Sequence, residues 1–254
     1  EIFAKQKCLW IDLLADEDEE RFGHNPDELS HFLKASPDIS FVIIDEVQKF
    51  PKLLDIVHKQ IEAPNNQIKF ILSGSSARKL KRGHANLTAG RLFLRELAPF
   101  SFLELEDDFH LNECLNWGML PKIFELDNEE DKFLFLRSYC KAYIKEEVLL
   151  EQLVRKVEAF RDFLPIAAQN NGKIINFSRI SKEVGINDNS TKNYYQILED
   201  TLIGFFLPSF HRSIRKRQRQ SPKFYFFDTG VKKALDGTSK VKLEKRTSEY
   251  GHAF

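Results

Sequence analysis

The sequence predicts an α/β fold, in which a parallel sheet with crossover helices is followed by a helical segment, two short helices and a two-stranded ribbon. Short apolar runs alternate with helix-like segments over the first 100 residues, which is typical of β/α units. The run at 41–45 shows no polar alternation, as expected of a strand that is covered on both faces, and the run at 68–74 is interpreted as a further buried strand. From about Leu97 the pattern changes to longer segments with Leu and Phe at helical spacing.

The first half of the chain has a predicted order of elements and one predicted loop. The order is strand 8–13, helix 27–34, strand 41–45, helix 51–61 and strand 68–74. Pro51 opens the second helix, because proline is favoured at the first helical position. The acidic run at 16–20 (DEDEE) is interpreted as a solvated loop. Three β/α units in 75 residues predict a doubly wound sheet.

The second half is predicted to be helical and to end in a winged helix-turn-helix. The elements are helical segments at 129–155 and 157–169, a β-like run at 174–177, helices at 178–185 and 189–202, and strands at 203–210 and 223–230. A helix, a turn with Gly185, a second helix and a two-stranded wing make up this motif. The predicted domains are an α/β core (1–98), a helical segment (99–170), the winged helix (171–236) and a linker or the start of a C-terminal domain (237–254).

Composition excludes several classes of protein. The 254 residues carry 38 Lys and Arg against 38 Asp and Glu, so no net charge attracts nucleic acid or membrane surfaces. The cysteines Cys8, Cys114 and Cys140 are odd in number and lack zinc-site spacing, and the seven histidines are scattered. The apolar runs are far shorter than a bilayer span, and the first residues do not resemble a signal peptide. We therefore expect a cytoplasmic globular protein with no membrane partner.

The segment FVIIDEVQKFP places Asp45 and Glu46 at the carboxyl end of a buried strand. Ligands of open α/β sheets bind at that edge. Adjacent carboxylates beside a core need a cation or water close by, and a nucleotide-bound Mg²⁺ is such a cation. In this Walker B arrangement of P-loop ATPases Asp45 would hold the metal and Glu46 would deprotonate the attacking water. The alternative is that Asp45 caps the following helix and Glu46 is merely solvated.

A second buried strand, FILSGSS, ends in hydroxyl residues, with Ser73 standing 28 positions after Asp45. Farther along, Arg91 follows Gly90 in the segment LTAGRLFLRELAPFSFLEL. The pair DEVQ and LSGSS is also similar to helicase motifs II and III. A helicase needs a second RecA-like domain, for which the helical and winged segments leave no room.

These segments together resemble a family of prokaryotic AAA-superfamily ATPases that carry a winged helix and a C-terminal nuclease-like domain of unknown function. The pieces that match, in the family's order, are IIDEVQKFPKLLDIV, FILSGSSARKL, LTAGRLFLRELAPFSFLEL, GMLPKIFE, YCKAYIKEEV, the winged helix and KFYFFDTGVKKAL. The resemblance implies a P-loop NTPase-like sheet and ATP with Mg²⁺ as ligands. It also implies that Ser73 binds the γ-phosphate or the lytic water. Arg91 would be an arginine finger that reaches a neighbouring subunit in a homo-oligomer, the alternative being an ordinary ion pair.

The sequence departs from the family in one large and two small ways. It contains no GxxxxGK[ST] phosphate-binding loop. We expect this loop to lie upstream of residue 1, the alternative being a degenerate homologue that does not hydrolyse ATP. By the same comparison the nuclease-like domain would follow residue 254. Asn116 and Trp117 stand where the family usually has a second glycine, and Lys192 and Tyr194 stand in a helix that is usually aliphatic and basic.

The winged helix has a basic wing, HRSIRKRQR at 211–219. The candidate nucleic-acid contacts are Lys182, Asn189, Ser190, Thr191, Lys192, Asn193, Arg212, Arg215, Lys216, Arg217 and Arg219. The lysines and arginines would pair with phosphates, which carry no base information. The residues from Asn189 to Thr191 and Asn193 would reach bases. The alternative is that the wing docks on the ATPase core or on a partner protein.

The sequence therefore predicts Mg-dependent ATP binding and hydrolysis to ADP and phosphate, coupled to an unidentified and DNA-associated task. The alternative is a nucleotide-independent DNA-binding or protein-interaction module on a degenerate ATPase core. The pathway, the DNA sequence preference and the oligomeric state do not follow from these residues.

Overall fold

The structure is a computed structural model that describes residues 7–64, 66–74, 93, 95–144, 153, 154, 156–210, 212, 213, 220–243 and 251. The chain divides into two compact units, residues 1–95 and 96–254. The four predicted domain segments, with boundaries at 98, 170 and 236, remain a prediction.

The first unit contains a three-stranded parallel sheet in the order β1-β2-β3. Its strands are β1 (Cys8–Asp12), β2 (Phe41–Asp45) and β3 (Lys69–Leu72). β2 lies in the centre, and its Val42, Ile43 and Ile44 are buried. Because the central strand of a parallel sheet is covered on both faces, it is apolar without alternation. The predicted α/β class with a parallel sheet is confirmed. The prediction of a buried strand at 68–74 is wrong, because β3 lies at the edge of the described sheet and its residues alternate between exposed and half-buried.

Three helices and a 3-10 turn connect the strands. They are α1 (Asp16–His24), α2 (Glu28–Ala35), the turn Val47–Lys49 and α3 (Lys52–Glu62). Their apolar side chains, such as Phe22, Leu29 and Leu53, share a core with Ile11 and Ile44 of the sheet. These contacts position the carboxyl ends of β1 and β2 against the turns that follow them.

The predicted acidic loop at 16–20 is wrong, because these residues form the first turns of α1. Four acidic residues in the first turn interact favourably with the positive end of the helix dipole. Asp18 accepts a hydrogen bond from the Asp12 N–H at 2.8 Å, and Glu19 pairs with the Lys49 ammonium at 2.8 Å. Phe22, on the next turn, is 1% exposed and anchors the helix to the core.

The second unit is mainly helical. Its helices are α4 (Phe102–Leu105), α5 (Leu111–Trp117), α6 (Pro121–Phe124), α7 (Glu129–Tyr143), α8 (Val157–Gln169), α9 (Phe177–Val184), α10 (Asp188–Asp200) and α11 (Thr229–Asp236), with a 3-10 turn at Glu106–Asp108. The prediction for 157–169 is confirmed, whereas α7 ends at Tyr143, earlier than residue 155. Residues 145–152 and 155 lie outside the described residues.

An aromatic cluster forms the centre of this unit. Tyr195, on α10, is fully buried, with ring centroids 4.9 Å from Phe163 and 5.0 Å from Phe224 in edge-to-face contacts. Such contacts stabilise aromatic pairs by about 0.5–1.5 kcal/mol beyond the area that they bury. Helices α8 and α10 and the strand Lys223–Phe226 are therefore held in one hydrophobic core.

A buried carboxylate joins two segments that are far apart in sequence. Asp228 caps α11 by accepting the Val231 N–H at 2.9 Å, and it accepts the Met119 N–H at 2.6 Å. Gly118 has φ +80°, and a Cβ at this position would lie 2.1 Å from the Asp228 Oδ1. A Cβ on Gly230 would lie equally close to the Trp117 carbonyl oxygen. Both glycines are needed because the two backbones approach this closely.

Helices α9 and α10 are followed by an antiparallel ribbon of β4 (Gly204–Leu207) and β5 (Lys223–Phe226). Gly185 ends α9, as predicted, and its backbone is left-handed there. The β-like run at 174–177 is shorter than expected, because only Ile174 bridges Lys223 and Phe177 already begins α9. The order helix, turn, helix and two strands is present, and its designation as a winged helix remains a prediction.

Within the described part of the chain, every helix is too short or too polar to cross a lipid bilayer.

Candidate functional site

The carboxyl ends of the three parallel strands bring polar side chains to one edge of the sheet. Asp45 pairs in register with Asp12, and Ser73 follows β3 and donates its N–H to the Ile44 carbonyl at 3.0 Å. The Ser73 hydroxyl donates a hydrogen bond to Asp45 Oδ1. Asp45 is half-buried and Ser73 is exposed. A carboxylate and a hydroxyl therefore meet at the edge where open α/β sheets bind ligands.

Glu46 has a backbone conformation that is rare for a residue with a side chain. Its φ of 56° and ψ of 40° place it in the left-handed region. Such residues occur frequently at functional sites, and their strain is offset by the surrounding structure. Here the Glu46 N–H donates to Ser73 Oγ at 3.3 Å, and the Val47 N–H donates to the Ser73 carbonyl at 3.1 Å. The loop after β3 thus holds the turn that carries Glu46.

The two carboxylates of the predicted pair have different surroundings. Asp45 caps neither the 3-10 turn, whose cap position is Glu46, nor α3, whose cap position is Pro51. The Glu46 Oε2 accepts a hydrogen bond from the side-chain amide of the buried Gln48. The alternative in which Asp45 serves as a helix cap is therefore not the arrangement in this structure.

Asp12 lies at the same edge, and the sequence reasoning did not identify it. Its Oδ1 accepts the Leu14 N–H at 2.9 Å. Next to it, the Lys49 ammonium donates to the Leu13 carbonyl at 3.0 Å. The signal that could have found Asp12 is the one used for Asp45, an aspartate at the end of an apolar strand, CLWID.

The donor set at this edge fits a magnesium ion that is bound mainly by water and phosphate. Over the described ranges, no group of three or more His, Cys, Asp or Glu side chains could hold a metal ion. Asp45 instead offers a single carboxylate with a hydroxyl beside it. Mg²⁺ usually keeps several waters and takes one or two carboxylates together with substrate phosphates. The edge suits this kind of coordination better than an all-protein metal cage.

The candidate nucleic-acid contacts other than Thr191 fall into three groups. Lys182, Asn189, Lys192, Asn193 and Arg212 are exposed. Ser190 is half-buried and donates its N–H to the Asn187 Oδ1 at 2.8 Å, as part of the cap of α10. Four wing residues and the predicted arginine finger lie outside the described residues; they are Arg215, Lys216, Arg217, Arg219 and Arg91.

Thr191 is a correction to the predicted base contacts. Its side chain is fully buried, and its hydroxyl donates to the Asn187 carbonyl at 3.3 Å. A buried side chain on the inner face of α10 cannot reach a base edge. Helical spacing explains the error, since Thr191 precedes the buried Tyr194 and Tyr195 by three and four residues.

An acidic residue lies at the start of the same helix. Asp188 accepts hydrogen bonds from the hydroxyls of Ser178 and Ser181, the latter at 2.6 Å. These hydrogen bonds, the one from Ser178 first, lower the pKa of the exposed Asp188 carboxyl. Asp188 therefore ties α9 to α10 as an anion, which reduces the positive potential at this end of α10.

Comparisons with curated proteins find relatives that match most of this chain. An uncharacterised protein of Mycobacterium tuberculosis is 26% identical over 84% of this chain and 48% of its own length, and so is one of Mycobacterium bovis. An uncharacterised protein of Methanocaldococcus jannaschii is 24% identical over 84% of this chain and 53% of its own length. The chain spans about half the length of these curated relatives. No solved structure matches it significantly.

Two protein families match consecutive parts of the sequence. Residues 1–106 match the family described as AAA domain, which supports an AAA-type ATPase domain in the first part of the chain. Residues 108–242, more than half of the chain, match the family described as a domain of unknown function (DUF8612). The chain thus belongs to the family of this domain of unknown function, and the residues before that domain match the AAA domain family.

Proposed function

We propose that the protein binds and hydrolyses Mg·ATP through its AAA domain, with Asp45, Glu46 and Ser73 as the reacting edge of the sheet. The observation that carries the proposal is a hydrogen-bonded group at this edge. The Ser73 hydroxyl donates to Asp45 and accepts a hydrogen bond from the backbone N–H of Glu46. This group lies where a parallel sheet binds ligands, in the part of the chain that matches the AAA domain.

Each side chain has a role that its position suggests. Asp45 would hold a nucleotide-bound Mg²⁺ through the water shell of the ion. Glu46 would accept the proton of the attacking water, and the turn held by Ser73 keeps its carboxylate at the edge. Ser73 would contact the γ-phosphate or the water through its hydroxyl. When bound, Mg²⁺ supplies positive charge that neutralises the phosphates.

The proposal also requires a phosphate-binding loop, and no GxxxxGK[ST] occurs in these 254 residues. The proposed reaction is ATP and water to ADP and phosphate. Arg91 remains the proposed arginine finger of a homo-oligomer. Hydrolysis that rises more steeply than linearly with protein concentration, and that Arg91→Ala abolishes, would support this role.

The test is to measure nucleotide binding and phosphate release for the complete polypeptide that contains this chain, with Glu46→Gln beside it. A glutamine keeps the shape and cannot accept the proton, so we expect binding to persist while turnover falls about 100-fold or more. The matched control is Glu62→Gln, since Glu62 ends α3 and is half-exposed. Undiminished turnover in Glu46→Gln would remove Glu46 from the mechanism. A complete polypeptide that does not bind ATP would favour the degenerate core.

The finer proposal is that this activity serves a DNA-associated task through a winged helix in the second unit. Its support is that Lys182 and Lys192 are exposed on neighbouring helices, with Asn189 and Asn193 beside them. The measurement is duplex binding as a function of salt concentration. Replacing both lysines by alanine should reduce the slope by about 1.8, because each lost phosphate contact accounts for about 0.9. An unchanged slope would contradict contact through these helices.

A further inference from the structure

The ribbon of β4 and β5 exposes one apolar face, which we call the outer face and define by Ile174, Phe205, Leu207, Lys223 and Tyr225. Phe205 lies opposite Tyr225 and Leu207 lies opposite Lys223, while Ile174 bridges Lys223 from the other side. Residues that lie directly opposite each other share a face. Ile174 is 68% exposed, Phe205 50% and Leu207 48%. Contiguous exposed apolar side chains of this kind mark binding surfaces.

Two aromatic rings are stacked on this face. The centroids of Phe205 and Tyr225 are 5.8 Å apart, and their planes differ by only 20°. Their neighbours Phe206 and Phe224 point to the opposite face and pack edge-to-face near Tyr195 in the core. The stability of the unit therefore depends on the inner face, and the outer pair is left as an aromatic platform.

The charge of the surrounding segment indicates the kind of partner. Between Asp200 and Asp228 the sequence contains no acidic residue, and it contains six basic ones: Arg212, Arg215, Lys216, Arg217, Arg219 and Lys223. A carboxylate that contacts the ribbon, Glu199, accepts the Phe206 N–H at 3.2 Å, at the backbone edge of β4. A partner that fits this face is polyanionic and presents flat apolar surfaces.

Single-stranded nucleic acid has both properties. Its phosphates pair with Lys and Arg, and its unpaired bases stack on aromatic rings without sequence preference. In a duplex the base faces are stacked on one another, so Phe205 and Tyr225 would find no free base face on which to stack. We propose that the outer face is a binding site for single-stranded DNA, on which Phe205 and Tyr225 stack a base and Lys223 pairs with a phosphate. This proposal rests on the DNA association proposed above and adds to it a second site, on the ribbon, for a single strand.

The experiment measures binding of fluorescein-labelled dT20 and of a 20-base-pair duplex to the protein by anisotropy, over a range of salt concentrations. Phe205→Ala should weaken dT20 binding about fivefold to a hundredfold, the effect of losing one base–aromatic stack, and leave the salt slope unchanged. Phe205→Trp should keep the affinity. Lys223→Ala should reduce the slope by about 0.7, as expected for one single-strand phosphate contact. The control is Phe102→Ala, because Phe102 is 60% exposed on α4.

Each possible result decides the proposal. An unchanged dT20 affinity in Phe205→Ala overturns it, and so does an equal loss in Phe102→Ala. If Phe205→Ala weakens the binding of a polyglutamate of similar charge as much as it weakens the binding of dT20, the face is assigned to an acidic peptide instead. Duplex binding without dT20 binding would overturn the single-strand site and leave the DNA association standing. If the protein binds neither dT20 nor the duplex, the single-strand site and the DNA association are both overturned. Thermal unfolding of each variant separates a lost contact from a lost fold.

Discussion

The junction between Gly118 and Asp228 makes a quantitative prediction for Gly118→Ala. Gly118 has φ 80° and ψ −170°, a backbone region that is essentially restricted to glycine. Occupying it with alanine costs about 1–3 kcal/mol of strain. The new Cβ would also lie 2.1 Å from the Asp228 Oδ1 and 2.4 Å from its Oδ2, so the carboxylate must move.

Moving the carboxylate breaks hydrogen bonds that are buried. Asp228 is 5% exposed, and burial raises the pKa of its carboxyl against the opposing effect of the N–H groups of Met119, Val231 and Gly230. A hydrogen bond to a charged group is worth about 1.5–3 kcal/mol. With the strain, Gly118→Ala should lower the free energy of unfolding by about 2.5–6 kcal/mol.

The assay is guanidinium unfolding of the second unit, followed by the fluorescence of Trp117. The chain has two tryptophans, and Trp10→Phe removes the signal of the first unit. Gly185→Ala is the matched control, because Gly185 also has a positive φ of 75° and a Cβ there meets no atom within 4 Å. Gly185→Ala should cost only about 1–2 kcal/mol, the strain of a left-handed residue.

The double variant Gly118→Ala with Asp228→Ser isolates the clash. Serine is shorter and still caps a helix, so the double variant should lose less than the sum of the single variants, by about 1–2 kcal/mol. Equal losses in Gly118→Ala and Gly185→Ala would refute the reasoning, because the conformational strain alone would then explain both.

Two further predictions concern buried polar groups of the same unit. Tyr195→Phe should raise the free energy of unfolding by about 1–2 kcal/mol, because the buried Tyr195 hydroxyl has no partner among the described residues. Tyr194→Phe should instead lower the free energy of unfolding by about 0.5–1.5 kcal/mol, since the Tyr194 hydroxyl donates to the Lys156 carbonyl. A lower free energy of unfolding in Tyr195→Phe would contradict the prediction for that residue. Burial lowers the pKa of Lys233 to about 8. Between pH 8 and about 10 the folded state then binds fewer protons than the unfolded state. The thermal midpoint should therefore include a contribution that rises with pH over this range, and Lys233→Met should lack this contribution. Identical pH profiles for the two proteins would exclude this effect.

The sequence was sufficient where a single local pattern decides the structure. The apolar run of β2 and the helical spacing of α8 are both found at the predicted residues. The end of β2 also located Asp45 and Glu46, because the carboxyl edge of a parallel sheet follows from strand direction. The prediction of a loop at 16–20 was wrong because the helix there depends on the buried Phe22 and on the Asp12 N–H, which lie outside the run itself.

Tertiary structure decided the features that depend on contacts between distant residues. The left-handed turn at Glu46 is held by Ser73, 27 residues away, and the junction at Gly118 is held by Asp228, 110 residues away. Whether Thr191 or Asn193 faces outward depends on the rotation of α10 against its core, and whether Phe205 or Phe206 faces solvent depends on the register of the ribbon. Local sequence determines which residues can form a strand or a helix. Packing between elements decides which of their side chains remain available to a ligand.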